Sequence, residues 1–308
     1  AETPMGEFTK IMDRLFVIGF FLPSAFFLAG SYYLWTVSGR LFLPVDKILE
    51  SKSAWLGGLA VLVLVWLFAV LLMILNKPII RFKEGYGPWN KPWNPLVRRQ
   101  VRRFRRLRAS RTALEDMVAA ERKKGGAPSA LLMRKLVQQW LELVNRFPDE
   151  EAFILGTNLG NTIRAFEVYP RVMYGFEAIS GWPLLQAVIP KEFGESISDT
   201  KAHLDFWINI WFLFILFLAE YVFLGLWTHR FQSLILPIFS ILGLSLSSFC
   251  IRRAASQWGN FVKASFDVYL RDLAKKLEIS LPASRDEQRE VWTRFSQAIL
   301  YRRPDCLP

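Results

Sequence analysis

Apolar residues gather into four runs: Leu15 to about Val37, Ala54 to Leu75, Phe206 to Trp227, and Phe231 to about Phe249. Each is long enough for the ~20 helical residues that cross a bilayer. The runs come as two pairs, with a long polar segment, Lys77 to Lys201, between them. Pro23 inside the first run predicts a kink, tolerated where a neighbouring helix satisfies the carbonyl that proline leaves free. Pro237 predicts a kink in the fourth. Asn76-Lys77-Pro78 predicts the end of the second, and Thr228-His229-Arg230 a tight hairpin between the third and fourth. Tyr32, Tyr33 and Trp35 read as an aromatic belt at a membrane surface. Ala1 to Pro4 precede Met5, where the pattern places the natural start, and Phe8 to Arg14 form a short amphipathic approach. Ser38 to Ser53 reads as a loop along the surface.

Outside these runs the period is helical. Val101, Phe104, Leu107, Leu114 and Val118 form one seam, broken at Arg111; Leu132, Leu136, Trp140, Leu143 and Phe147 form a second. Lys123-Lys124-Gly125-Gly126-Ala127-Pro128 between them is a turn. The pair predicts an antiparallel helical hairpin. Trp258, Val262, Ser265, Tyr269, Leu273 and Leu277 continue a helical stripe past the fourth run. Ser284 with Glu287 suggests a capping box for a last helix, Arg285 to about Arg302. The fold class is therefore an all-α membrane protein with four transmembrane helices, a cytoplasmic helical hairpin and C-terminal cytoplasmic helices. Its segments are 5–76 (two spans), 77–204 (a basic cytoplasmic helical region), 205–251 (two spans) and 252–308 (a cytoplasmic tail).

Charge supplies the orientation. The 308-residue chain carries a net charge of +12. Lys10, Arg14, Lys77, Arg81, Lys83, Arg252 and Arg253 flank the runs on one side, with the basic block Arg98 to Arg108. Arg40, Lys47, Lys52 and Arg230 lie on the other. The richer side is expected to be cytoplasmic, with both termini inside a bacterial inner membrane. Arg98, Arg99, Arg102, Arg103, Arg105 and Arg106 suit anionic lipid headgroups or an acidic protein; nucleic acid is the less economical partner so near a span.

The two cysteines, Cys250 and Cys306, and two histidines, His203 and His229, form no spaced set, so no metal or cofactor is expected. No phosphate-binding Gly-Lys-Ser/Thr loop, Gly-x-Ser-x-Gly elbow or His-Glu-x-x-His pair occurs. Asp149-Glu150-Glu151 after Pro148 reads as acids at a helix N-terminus. Gly156 and Gly160 have a helix-contact spacing outside an apolar run. Gly, Pro and Trp after the second run, from Gly85 to Trp93, read as an interfacial loop.

The stretch from Leu155 to Pro183 is dense in Gly, Asn, Arg, Glu and aromatic residues. A helix from about Thr157 places Asn161, Arg164 and Glu167 or Arg171 near one face. With Tyr169 these residues could contact a partner or small ligand, or tie a helix into a junction; the second use is commoner. Glu220, inside the third run, is a candidate intramembrane functional residue, about two turns before Trp227.

Leu159-Gly160-Asn161, Arg164-Ala165, Glu167, Tyr169-Pro170, Tyr174-Gly175 and Trp182-Pro183, preceded by Arg81 to Tyr86, resemble a widespread family of bacterial integral membrane proteins of unassigned activity. The resemblance implies an inner-membrane protein and carries over no catalytic residue. The expected function is a non-enzymatic accessory or interaction protein that contacts the bilayer, a partner protein or a second copy of itself. The alternatives are an oligomeric membrane effector or channel using Glu220, and a lipid-handling enzyme using Asn161, Arg164 and Glu167.

Overall fold

A computed structural model describes residues 15–39, 54–87, 91, 94–229, 231, 234–303 and 305. Outside these lie the amphipathic approach to Arg14, most of the Ser38 to Ser53 loop with Arg40, Lys47 and Lys52, and Lys10, Trp89, Pro92, Trp93, Arg230 and Cys306. Among the described residues the protein is helical and without strands. The helices are α1 (Val17–Val37), α2 (Ala54–Glu84), α3 (Pro95–Lys123), α4 (Ala130–Arg146), α5 (Asn158–Tyr174), α6 (Ala178–Gln186), α7 (Lys191–Trp227), α8 (Ile235–Lys276) and α9 (Arg285–Tyr301). Four of them, α1, α2, α7 and α8, are long and apolar enough to cross a membrane, which makes this a multi-pass membrane protein. The chain divides into two compact units: Ala1–Ile80 with Ser198–Ala254, and Arg81–Ile197 with Ala255–Pro308.

The first unit holds the apolar parts of the spans. Leu34 of α1 packs with Tyr221 and Leu224 of α7, flanked by Trp35, Phe217 and Leu236. Phe27 stacks on Phe68 of α2 at 5.3 Å, and Trp35 meets Trp227 edge-on at 6.2 Å. Helix α1 begins with a π-helical turn, Val17–Phe21. The cause lies at Pro23, which has no N–H to offer the Gly19 carbonyl one turn earlier. Asn209 of α7 supplies the missing donor, its Nδ2 lying 2.8 Å from Gly19 O. The expected help from a neighbouring helix is thus one buried amide.

The other two prolines depart from expectation. Pro78 lies inside α2, which runs on to Glu84. An interior proline costs about 3 kcal/mol; burial of Ile79 one residue later offsets part of it. Pro237 falls in the first turn of α8, where no intrahelical N–H is required, so it has no ladder bond to break. Helix α8 starts at Ile235 rather than Phe231, and the hairpin turn places His229 in the left-handed region with φ 52°.

In the second unit α3 and α4 pack as the expected antiparallel hairpin. Asn94 caps α3 by accepting from Leu96 N at 2.9 Å, and Ser129 caps α4 by accepting from Leu132 N at 3.3 Å. Phe104, Leu143, Phe147 and Ile154 form the seam. Trp140, expected in it, is 47% exposed: it sits at the seam's edge, with Leu141 exposed beside it. A second core gathers on Phe176, which meets Phe266 of α8 and Trp292 and Phe295 of α9 at 5.2–6.3 Å. Helix α9 begins at Arg285 as expected, but the Ser284 side chain makes no capping bond.

Candidate functional site

The motif-like stretch sits at the start and along the length of α5. Thr157 is the N-cap: its Oγ1 accepts from Gly160 N at 3.0 Å and donates to Glu84 O, at the end of α2, at 2.7 Å. A side chain at Gly160 would collide with that Glu84 carbonyl. Asn161, fully buried, turns both amide atoms onto one residue: Oδ1 accepts from Leu155 N at 2.6 Å and Nδ2 donates to Leu155 O at 3.0 Å. This strand-like pairing leaves Asn161 no donor or acceptor pointed at solvent. Gly156 precedes the helix and faces Leu96 and Val97, so the Gly156/Gly160 spacing is not a helix-contact motif.

At the far end of α5, Gly175 has φ 75° and lies against Arg289 and Thr293 of α9, where a Cβ would not fit. Ser296 of α9 donates to Gly175 O at 3.3 Å and accepts from Glu177 N at 2.9 Å. Gly181 lies against the ring of Phe176. These motif glycines, with Asn161, are therefore packing positions.

The five residues offered as a ligand contact divide into separate places. Arg164 Nη1 lies 3.2 Å from Glu167 Oε2, and its guanidinium stands 5.4 Å from the ring centre of Tyr86. Arg81 approaches the same ring at 5.5 Å. Burial pushes the Glu167 carboxyl above the ordinary carboxylate value, against the pull of Arg164. Burial likewise raises the Tyr86 phenol, so its ring faces the guanidinium groups uncharged. Tyr169 belongs to a second cluster: its hydroxyl donates to Asp267 Oδ1 at 2.8 Å, and Tyr174 donates to the same oxygen at 2.7 Å. Burial and the bond to Asp267 push Tyr174 up to about 12 and raise Tyr169 too. Lys263 lies 5.9 Å from the Tyr169 ring and donates to Asn145 Oδ1 at 3.2 Å. Arg171 stands apart again, paired with Glu150 at 3.1 Å and stacked on Phe153 at 4.7 Å.

Sequence reasoning missed Asp267 and Lys263. Their i, i+4 spacing beside the Trp258 to Leu277 stripe was visible, but nothing along the chain joins them to two tyrosines a hundred residues earlier. The acids after Pro148 also act differently from expectation. Glu151 opens only a single 3₁₀ turn, Glu151–Phe153, and grips Arg105 through two hydrogen bonds of 2.9 and 2.5 Å; Glu150 holds Arg171.

The basic block divides likewise. Arg103 bonds Glu142 at 3.0 Å and Asn158 at 3.3 Å. Arg98, Arg99, Arg102 and Arg106 are exposed and have no ion-pair partner among the described residues. On a 3.6-residue helix these four fall on the side opposite buried Val97, Gln100 and Phe104, within about 12 Å of rise.

Within the first unit, Ser31 of α1 donates to Glu220 Oε2 of α7 at 2.7 Å, near the Trp35–Trp227 pair. Asp205 is buried and bonded to Lys201 at 2.5 Å. No group of three or more His, Cys, Asp or Glu suited to a metal occurs among the described residues. No protein-family model, curated protein or solved structure matches the chain.

Proposed function

We propose that this is a non-enzymatic accessory protein of the bacterial inner membrane, which presents a basic helical face to an anionic partner on the cytoplasmic side. The observation that carries the reading is the outward row of Arg98, Arg99, Arg102 and Arg106 on α3. Packing spends the neighbouring Arg103 and Arg105 on carboxylates within the unit. These four guanidinium groups are left solvated on a helix whose other side is locked by the α4 seam. Such a row attracts anionic surfaces, each basic residue near an anionic membrane contributing about 1 kcal/mol. The orientation rests on the excess of Lys and Arg beside the spans on that side.

Gentle extraction from native membranes, with mass and identity of what co-purifies, tests the reading. A stoichiometric acidic protein or tightly held anionic lipid is expected with the wild type. The variant Arg98→Glu/Arg99→Glu/Arg102→Glu/Arg106→Glu, all surface changes, is expected to lose it while keeping its helical content. An identical companion set in wild type and variant would overturn the proposal.

A further inference from the structure

Helix α2 leaves the first unit at Ile80, and its last turn, Arg81 to Glu84, belongs to the second. Its candidate span, Trp55–Glu84, is 30 residues long, or about 45 Å of helix, against a hydrocarbon thickness of about 30 Å. The helix is therefore longer than the apolar layer is thick, and its last turn carries Arg81 and Lys83. There the chain turns sharply. Gly85 adopts φ 92°, Gly85 N–H bonds Phe82 O at 3.1 Å, and Tyr86 N–H bonds Arg81 O at 3.0 Å. The turn brings Tyr86 back beside Arg81, and α5, anchored on Glu84 O by Thr157, brings Arg164 to the same ring.

Two guanidinium groups thus share one neutral aromatic ring. Each cation over the ring gains on the order of 1 kcal/mol. Arg81 is exposed and has no ion-pair partner among the described residues; Arg164 has Glu167, and its Nε is buried without a hydrogen-bond partner. The exposed fork of Arg81, with Arg164 at the same ring, suits a tetrahedral oxyanion. Exposed Phe82 on the same turn gives a neighbouring acyl chain an apolar surface.

We propose that Arg81 and Arg164, both set against Tyr86, form a binding site for the phosphate group of a membrane phospholipid. It is separate from the α3 row.

The full chain, delipidated in detergent and titrated with phosphatidylglycerol under native mass spectrometry, tests this. Wild type is expected to hold a first lipid at least tenfold more tightly than Arg81→Gln/Arg164→Gln. A control that also removes two charges, Arg122→Gln/Lys123→Gln at the hairpin turn, is expected to bind as wild type does. Arg81→Lys keeps the charge but loses the fork, and is expected to fall between. Inorganic phosphate separates the sources: lipid bound in its millimolar presence assigns the headgroup, whereas full displacement assigns a site for free phosphate that lipid merely borrows. Should the double variant unfold, Arg81→Gln alone, at an exposed position, is expected to weaken binding at least threefold. Equal affinity of wild type and the folded Arg81 variant would overturn the proposal.

Discussion

Asn161 illustrates how one buried amide sets a junction. Its two bonds to Leu155 satisfy a backbone N–H and C=O just ahead of α5. Asn161→Ala strands both groups away from water, and each stranded group costs about 1–3 kcal/mol. A loss on the order of 3 kcal/mol is expected in thermal or denaturant unfolding; a change below about 0.5 kcal/mol would refute this role. Gly160→Ala should be comparably harmful, since the new methyl meets the Glu84 carbonyl backbone rather than a side chain that can swing away. The sequence made these residues conspicuous as polar and small positions among aromatic ones, and a junction was one of the uses they allowed. What it could not convey is where each points. Asn161 and Arg164 are a helical turn apart and face similarly, yet one is consumed by its own chain and the other reaches Tyr86. That difference depends on the extended segment before α5 and on the turn after α2, neither of which leaves a periodic signal.

Between elements, the same logic pairs Pro23 with Asn209. In lipid an unsatisfied carbonyl has no water to turn to, and interhelical hydrogen bonds there contribute about 0.6 kcal/mol on average, up to ~1.7. Asn209→Leu is expected to destabilise the protein by about 1–2 kcal/mol. Pro23→Ala restores an N–H for Gly19 O, so Asn209→Leu should cost less in that background. Equal costs in the two backgrounds, measured as a double-mutant cycle in detergent, would show that the freed carbonyl is not what Asn209 serves. The contact between α5 and α8 makes a prediction in pH. Tyr169 and Tyr174 both hold their protons above the ordinary tyrosine value near 10, Tyr174 to about 12. A folded-state pKa raised in this way contributes stability that is complete below pH 10 and is lost as pH climbs toward 12. Tyrosinate absorbance should therefore rise late in the wild type, and Asp267→Asn should bring the titration of both phenols earlier. An unchanged titration curve in that variant would break the assigned link. Hydropathy marked the spans and the Trp258 to Leu277 stripe the continuation of α8 to Lys276, but nothing marked the start of α7 at Lys191, because beyond the bilayer a helix continues on polar residues without an apolar run to show it.

At the scale of the molecule, the four spans and the helical second unit followed from pattern alone, because apolar length and 3.6-residue periodicity are local properties. The chain divides at Ile80, Ile197 and Ala254, and three continuous helices pass through that division. That division carries a topological consequence. Residues 81–197 and 255–308 fold into one unit, so both are expected on the same side of the bilayer, which the proposed orientation makes the cytoplasmic side. Single cysteines at Arg99 and at Glu290, in a Cys250→Ser/Cys306→Ser background, should both resist a membrane-impermeant thiol reagent in intact cells and react after lysis. Labelling of either in intact cells would reverse the orientation. The accessory reading further expects vesicles holding wild type or Glu220→Ala to pass ions no faster than empty vesicles. The Ser31–Glu220 bond then serves to tie α1 to α7, and Glu220→Ala should show itself as lost stability, not altered flux. A wild-type ion flux abolished by that substitution would instead make Glu220 part of a permeation path and displace the accessory reading altogether.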